Sequence, residues 1–134
     1  MEKATHATTA DGRFYYRGQA SGKFVYYDAD CDGAGTFAGR WIIDNSEPST
    51  TAASDLDGDG ACSPSWAYIY STAAAPPSDT WYVWCGSSWV DTSLTLTDLH
   101  PSAVPSASPT LTAPPTGAHL LTCDFDSSAC GFDY

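Results

Sequence analysis

Between Asp11 and Leu99 the apolar residues come in short runs, rich in aromatic and β-branched side chains and broken by glycine, proline or aspartate. Runs this short predict strands, because an amphipathic helix needs ten or more residues to lay down its stripe and no window here repeats at that period. Six strands follow: Arg13–Arg17, Lys23–Asp28, Gly39–Asn45, Trp66–Ser71, Thr80–Cys85 and Ser88–Thr97. Asp11-Gly12, Ser21-Gly22, Gly33 to Gly35 and Cys85-Gly86-Ser87-Ser88 supply turns, and Pro76-Pro77 opens the approach to the fifth strand. The expected fold is all-β, a small antiparallel sandwich or barrel of about six strands, with an extended Ser/Thr/Pro-rich tail.

The alternation within these strands is incomplete. Tyr15-Tyr16 and Tyr26-Tyr27 are adjacent, and neighbouring strand residues point to opposite faces, so rings stand on both sides of the sheet. Trp41, Trp66, Trp81, Trp84 and Trp89 add to this supply. Outward rings can stack on sugars or pack on a neighbouring module, and the alternative is that both faces are covered with nothing left to bind.

The pattern divides the chain into an N-terminal arm (1–10), a β-module (11–99), a Pro/Ser/Thr-rich linker (100–118) and a closing segment (119–134). In the linker Ser102, Ser106, Ser108, Thr110, Thr112 and Thr116 are candidate O-glycan acceptors, against the plainer reading of a bare spacer. Asn45 is followed by Ser46 and Glu47 and does not form an N-glycosylation sequon.

Charge narrows the partners. The formal net charge is −11, and all five basic residues, Lys3, Arg13, Arg17, Lys23 and Arg40, fall within the first forty positions. Nucleic acid is excluded as a partner on this ground, since phosphate binding depends on lysine and arginine. No apolar run is long enough for a membrane span, and the polar first ten residues carry no signal peptide, so a leader is expected to be missing from this chain if the protein is secreted.

Much of the acidity is concentrated in two stretches with calcium-loop spacing: Asp28-Ala-Asp30-Cys-Asp32-Gly33 and Asp55-Leu-Asp57-Gly-Asp59-Gly60. Alternate carboxylates followed by glycine let the chain curl so that several oxygens face one hard cation. The twelfth position is Gly39 in the first and Trp66 in the second, so no bidentate Glu closes either loop. Any Ca2+ affinity is expected to be weak, roughly millimolar. The competing reading is an acidic, solvated turn.

Five cysteines point to an oxidising compartment, and no C-x-x-C pair argues for zinc or thioredoxin-like chemistry. In a simple meander Cys62 and Cys85 fall at the same end of one hairpin, within the roughly 4.4–6.8 Å Cα separation of a disulfide. Cys62–Cys85 is the preferred pair, leaving Cys31 free or bonded to another chain. The alternative, Cys31–Cys62, ties the two Asp-rich loops together and requires the long Ser46–Ala61 connection to fold back.

The closing Cys123-Asp-Phe-Asp-Ser-Ser-Ala-Cys130-Gly-Phe132 resembles the opening of a MAM domain, an extracellular adhesion module that starts Cys-Asp-Phe-Glu and continues to Cys-Gly-Trp. Asp126 stands where Glu is usual and Phe132 where Trp is usual. The resemblance implies a Cys123–Cys130 disulfide, and its abrupt end implies that the chain is a piece of a longer protein. The marks Gly12-Arg-Phe14-Tyr15, Gly22-Lys-Phe24-Val-Tyr26, Arg40-Trp41-Ile-Ile43, Pro76-Pro77 and Trp81-Tyr-Val-Trp84 make the region 11–99 similar to an aromatic β-module repeated in large secreted proteins of algae and marine animals. That resemblance implies a scaffold role.

His6, His100 and His119 all lie outside the predicted strands, so no rigid element holds an acid–base pair and no enzyme is expected. The expected function is a non-catalytic extracellular or cell-surface structural module, a subunit of a glycosylated fibre or matrix whose partners are copies of itself or neighbouring modules. The alternative is a carbohydrate- or ligand-binding adhesion module, Ca2+-dependent if the Asp loops are filled.

Overall fold

The computed structural model describes residues 2–18, 21–63, 66–98 and 121–124, with residues 2–6, 98 and 121–124 described by their backbone. Eight strands run in chain order: β1 (Glu2–Thr8), β2 (Phe14–Arg17), β3 (Phe24–Asp28), β4 (Arg40–Asp44), β5 (Ala67–Ile69), β6 (Asp79–Trp84), β7 (Trp89–Asp98) and β8 (Leu121–Asp124). Each pairs antiparallel with its chain neighbour, giving one meander in the order β1 to β8. The fold is all-β, and the six predicted strands are β2 to β7 with ends displaced by at most two residues.

Three expectations change. Among the described residues there is one sheet, where a sandwich needs two. The N-terminal arm is a strand: Glu2 and Lys3 pair with Arg17 and Tyr16 of β2, so His6 lies on the sheet. An edge strand is held by backbone hydrogen bonds on one side and needs no apolar alternation, which is why a polar sequence concealed it. The third change is β8, which pairs Cys123 with Leu96 and brings the start of the closing segment back onto β7. The linker and its candidate O-glycan residues, Ser102, Ser106, Ser108, Thr110, Thr112 and Thr116, lie outside the described residues, as does the MAM-like stretch beyond Asp124.

One face of the sheet carries the larger core. Val25, Trp41, Ile43, Ala67 and Trp81 have no exposed surface at all. Each buried indole removes about 150–250 Å² from water, a gross gain of roughly 4–6 kcal/mol at about 25 cal/mol/Å². Each also finds an acceptor: Trp41 Nε1 donates to the Ala73 carbonyl at 3.1 Å and Trp81 Nε1 to the Pro77 carbonyl at 3.0 Å. Both acceptors sit in the β5–β6 connection, which caps one end of this face. No helix or second sheet covers it among the described residues.

The opposite face is covered mainly over β2 to β4, with Ala7 of β1 and Tyr68 of β5 packed at the margins of the covered cluster. Residues 45–63, the first part of the β4–β5 connection, cross the sheet from the end of β4 to the start of β4 and lay Leu56 against Tyr15, Tyr26, Ile42 and Cys31. Asp28 fixes the crossing, since its buried carboxylate accepts from the backbone N–H of Leu56 at 2.8 Å and of Asp30 at 2.9 Å. Asp55 N–H donates to the Asp30 carbonyl at 2.9 Å, joining the two loops directly.

This crossing overturns the preferred disulfide. The bond is Cys31–Cys62, with Cα atoms 5.1 Å apart, so Cys62–Cys85 does not form and Cys31 is neither free nor available to another chain. Counting strand directions fails here because a connection this long can carry Cys62 across the sheet, where burial of Leu56 rewards the crossing. Cys85 is itself disulfide-bonded. Of the Cys123–Cys130 pair implied by the resemblance, Cys130 lies outside the described residues and Cys123 is described by its backbone alone.

Candidate functional site

Of the two Asp-rich loops, one gathers its carboxylates. Asp55, Asp57 and Asp59 place one oxygen each within 4.8 Å of one another. The curl is local: Asp55 adopts φ +49°, a left-handed conformation that aspartate tolerates, and Gly58 and Gly60 follow at +74° and +68°. Gly60 N–H donates to Asp55 Oδ1 at 3.1 Å and Ala61 N–H to Asp59 Oδ1 at 2.7 Å, which orients both side chains. Burial, then the charge of Asp59, pushes the Asp57 carboxyl up to about 7.

Asp28, Asp30 and Asp32 do not converge in this way. Asp28 is buried and committed to the backbone of the crossing loop. Asp30 and Asp32 hydrogen-bond to each other; desolvation and then that bond raise Asp30, while the Ala34 N–H, at 3.0 Å, holds Asp32 down. The first loop is therefore a structural joint.

A fourth carboxylate, from the sheet, lies near the second loop without belonging to the three that gather. Asp44, at the end of β4, is 3% exposed, and after desolvation and the charge of Asp59 its charge also raises Asp57. Tyr26 is 1% exposed, and its hydroxyl has no hydrogen-bond partner. Desolvation, followed by the charges of Asp57, Asp44, Asp28 and Asp59, holds that hydroxyl firmly protonated. No sequence spacing relates Asp44 or Tyr26 to the loop motif.

The second feature is the uncovered half of the face, over β5 to β7. Tyr68 and Tyr82 stack with centroids 5.1 Å apart, Tyr70 and Trp89 meet the Tyr68 ring edge-on at 5.6 and 5.0 Å, and Trp84 lies 5.3 Å from Trp89. Tyr70, Tyr82 and Trp89 remain 51, 40 and 37% exposed. Arg40, 2% exposed, lies beneath: its guanidinium carbon is 4.8 Å from the Tyr70 centroid, 4.9 Å from Tyr68 and 5.2 Å from Phe37. Cation–π attraction of this kind fixes the rings in one arrangement. Thr80, Asp91 and Ser93 alternate onto the same side and give the rings a polar border. The adjacent pairs Tyr15-Tyr16 and Tyr26-Tyr27 do put rings on both faces, but all four are buried and the exposed rings here are Tyr70, Tyr82 and Trp89; the buried Arg40 was missed, and its signal was a lone basic residue heading the apolar run Trp41-Ile-Ile43.

No protein family, curated protein or solved structure matches this chain.

Proposed function

We propose that this chain is a non-catalytic extracellular module that works by adhesion, taking carbohydrate on the open aromatic face of β5 to β7. The observation that carries the reading is the contiguous patch of Tyr68, Tyr70, Tyr82 and Trp89, three of them more than one-third exposed, on a strongly acidic chain. Rings held by their neighbours and by Arg40 lose little freedom on binding, and they match the apolar face of a pyranose while Thr80, Asp91 and Ser93 stand ready for its hydroxyls. The Cys31–Cys62 bond supports an oxidising, extracellular setting, and no helix among the described residues is long and apolar enough to cross a membrane.

A fibre or matrix subunit drew part of its support from an unpaired Cys31. With that cysteine bonded to Cys62, intermolecular cross-linking through it is withdrawn, and adhesion becomes the stronger reading.

A net charge of −11 disfavours sulfated or carboxylated glycans, so neutral sugars are the expected ligands. A glycan array probed with the full chain, in calcium and in chelator, tests this. Binding to neutral glycans that falls at least tenfold in Tyr82→Ala supports the reading, and an array with no neutral glycan bound removes it.

A further inference from the structure

Cys85 opens the β6–β7 turn and is disulfide-bonded, yet Cys31 and Cys62 are already taken by each other. Of the five cysteines, Cys123 and Cys130 are the two that remain as partners within the chain. Strand register decides between them.

Trp84 pairs with Trp89 at the end of the β6–β7 hairpin, and the Cys85 N–H donates to the Ser88 carbonyl at 2.9 Å, so Cys85 sits one step past the last rung. Cys123 pairs with Leu96, towards the far end of β7. Between these points β7 is extended, since it pairs with β6 residue by residue from Trp89 to Leu94. Eight residues from Ser88 to Leu96, at about 3.3 Å each, put the Cys123 backbone about 26 Å from the turn. A disulfide needs Cα atoms within roughly 7 Å. Cys123 is out of reach by a margin that no rotamer closes.

Cys130 meets the same test differently. β8 runs antiparallel to β7, from Leu121 beside Asp98 to Asp124 beside Thr95, and is therefore directed at the turn. Six residues carry the chain from Asp124 to Cys130, and an extended chain of that length spans about 20–22 Å. Added to a Cα separation of about 5–6 Å across the bond, this covers the roughly 23 Å of β7 between Thr95 and Ser88. The reach suffices.

We propose that Cys85–Cys130 is the second disulfide of this chain, tying the closing segment to the β6–β7 turn. β8 is four residues long, a weak hold by backbone hydrogen bonds alone, and a covalent link offsets that. The bond excludes the Cys123–Cys130 pairing implied by the resemblance to a MAM opening, and leaves Cys123 as the sulfur without a partner in this chain. Exchange with a small-molecule disulfide such as oxidised glutathione forms it. One cysteine thiolate attacks the glutathione disulfide and expels a glutathione thiolate, and the other then attacks the mixed disulfide and expels the second. Two electrons pass from the cysteine sulfurs to glutathione, whose two thiolates take up the two protons released. The bond lies outside the aromatic patch, and the adhesion reading does not depend on it.

Non-reducing peptide mapping tests it on the full chain, refolded with reduced and oxidised glutathione and alkylated with N-ethylmaleimide before digestion. Chymotrypsin suits the sequence, because cleavage after Trp84, Trp89, Leu121, Phe125 and Phe132 puts Cys85, Cys123 and Cys130 on separate peptides. The expected species joins the Cys85 and Cys130 peptides, with Cys123 linked to neither. A Cys85–Cys123 or Cys123–Cys130 species, or an alkylated Cys85, overturns the proposal. Cys85→Ser and Cys130→Ser should each lower the thermal midpoint by about 10 °C, the double variant no further than the singles, while Cys123→Ser leaves it unchanged. A loss in Cys123→Ser equal to that in Cys85→Ser overturns it equally. Should the single variants fail to fold, the map of the unaltered chain decides.

Discussion

Removing the Cys31–Cys62 bond with the double variant Cys31→Ala/Cys62→Ala isolates what holds the crossing loop. The cross-link closes 31 residues of chain. Loop-closure entropy for that length, −2.1 − 1.5R ln n, comes to about −12 cal/mol/K, or about 4 kcal/mol at 25 °C, taken from the unfolded state. Loss of the buried Cys31 sulfur adds a smaller packing term, since only one side of the bridge is deeply buried. Urea unfolding followed by tryptophan fluorescence should therefore show stability lower by about 4 kcal/mol, and a larger m-value as the released unfolded chain expands. The double variant is preferable to a reductant, because Cys85 is also disulfide-bonded and reduction would confound the two. A loss below about 1 kcal/mol with an unchanged m-value would refute the reasoning: Asp28 and Leu56 would then hold the loop without help, and the covalent link would be incidental to the fold.

Asp28→Asn should cost about 2–3 kcal/mol, since one carboxylate oxygen becomes an amide donor facing a backbone N–H; an unchanged urea midpoint would show that the loop does not depend on this joint. Tyr15, raised to about 12 by burial and by its 2.7 Å hydrogen bond to Glu47, keeps its proton in the folded state after an unfolded tyrosine has lost it near 10. Its contribution is complete below pH 10 and lost between pH 10 and 12, so stability should fall across that window, and Glu47→Gln should lower the Tyr15 midpoint in an absorbance titration at 295 nm. Gly39→Ala places a methyl on the Tyr27 hydroxyl, whose ring is buried against Trp41 and lies under Arg13. A loss of about 1–3 kcal/mol is expected from this overpacking, and a thermal midpoint equal to the parent's would contradict it.

The strands were legible because each is a short aromatic or β-branched run between turn residues, and those properties belong to the segments themselves. The loop motif Asp55-Leu-Asp57-Gly-Asp59-Gly60 was legible for the same reason, since glycine and aspartate at alternate positions dictate a tight curl wherever the loop lies. β1 escaped notice because pairing with β2 through backbone hydrogen bonds asks no apolar alternation of its sequence. The partner of Cys62 was misassigned because strand direction says nothing about a connection long enough to cross the sheet.

Local chemistry, then, determined that this chain makes antiparallel strands, where they start and stop, and that acidic turns separate some of them. Tertiary structure alone decided which turn gathers carboxylates and which becomes a joint, that Tyr26 packs against Leu56 of the crossing connection, and that Arg40 lies beneath the exposed rings. The reason is that the burial of Leu56 and its hydrogen bond to Asp28 act between residues 28 positions apart. Contacts at that separation exist only once the chain has closed on itself, and closing one half of a face is also what leaves the other half open.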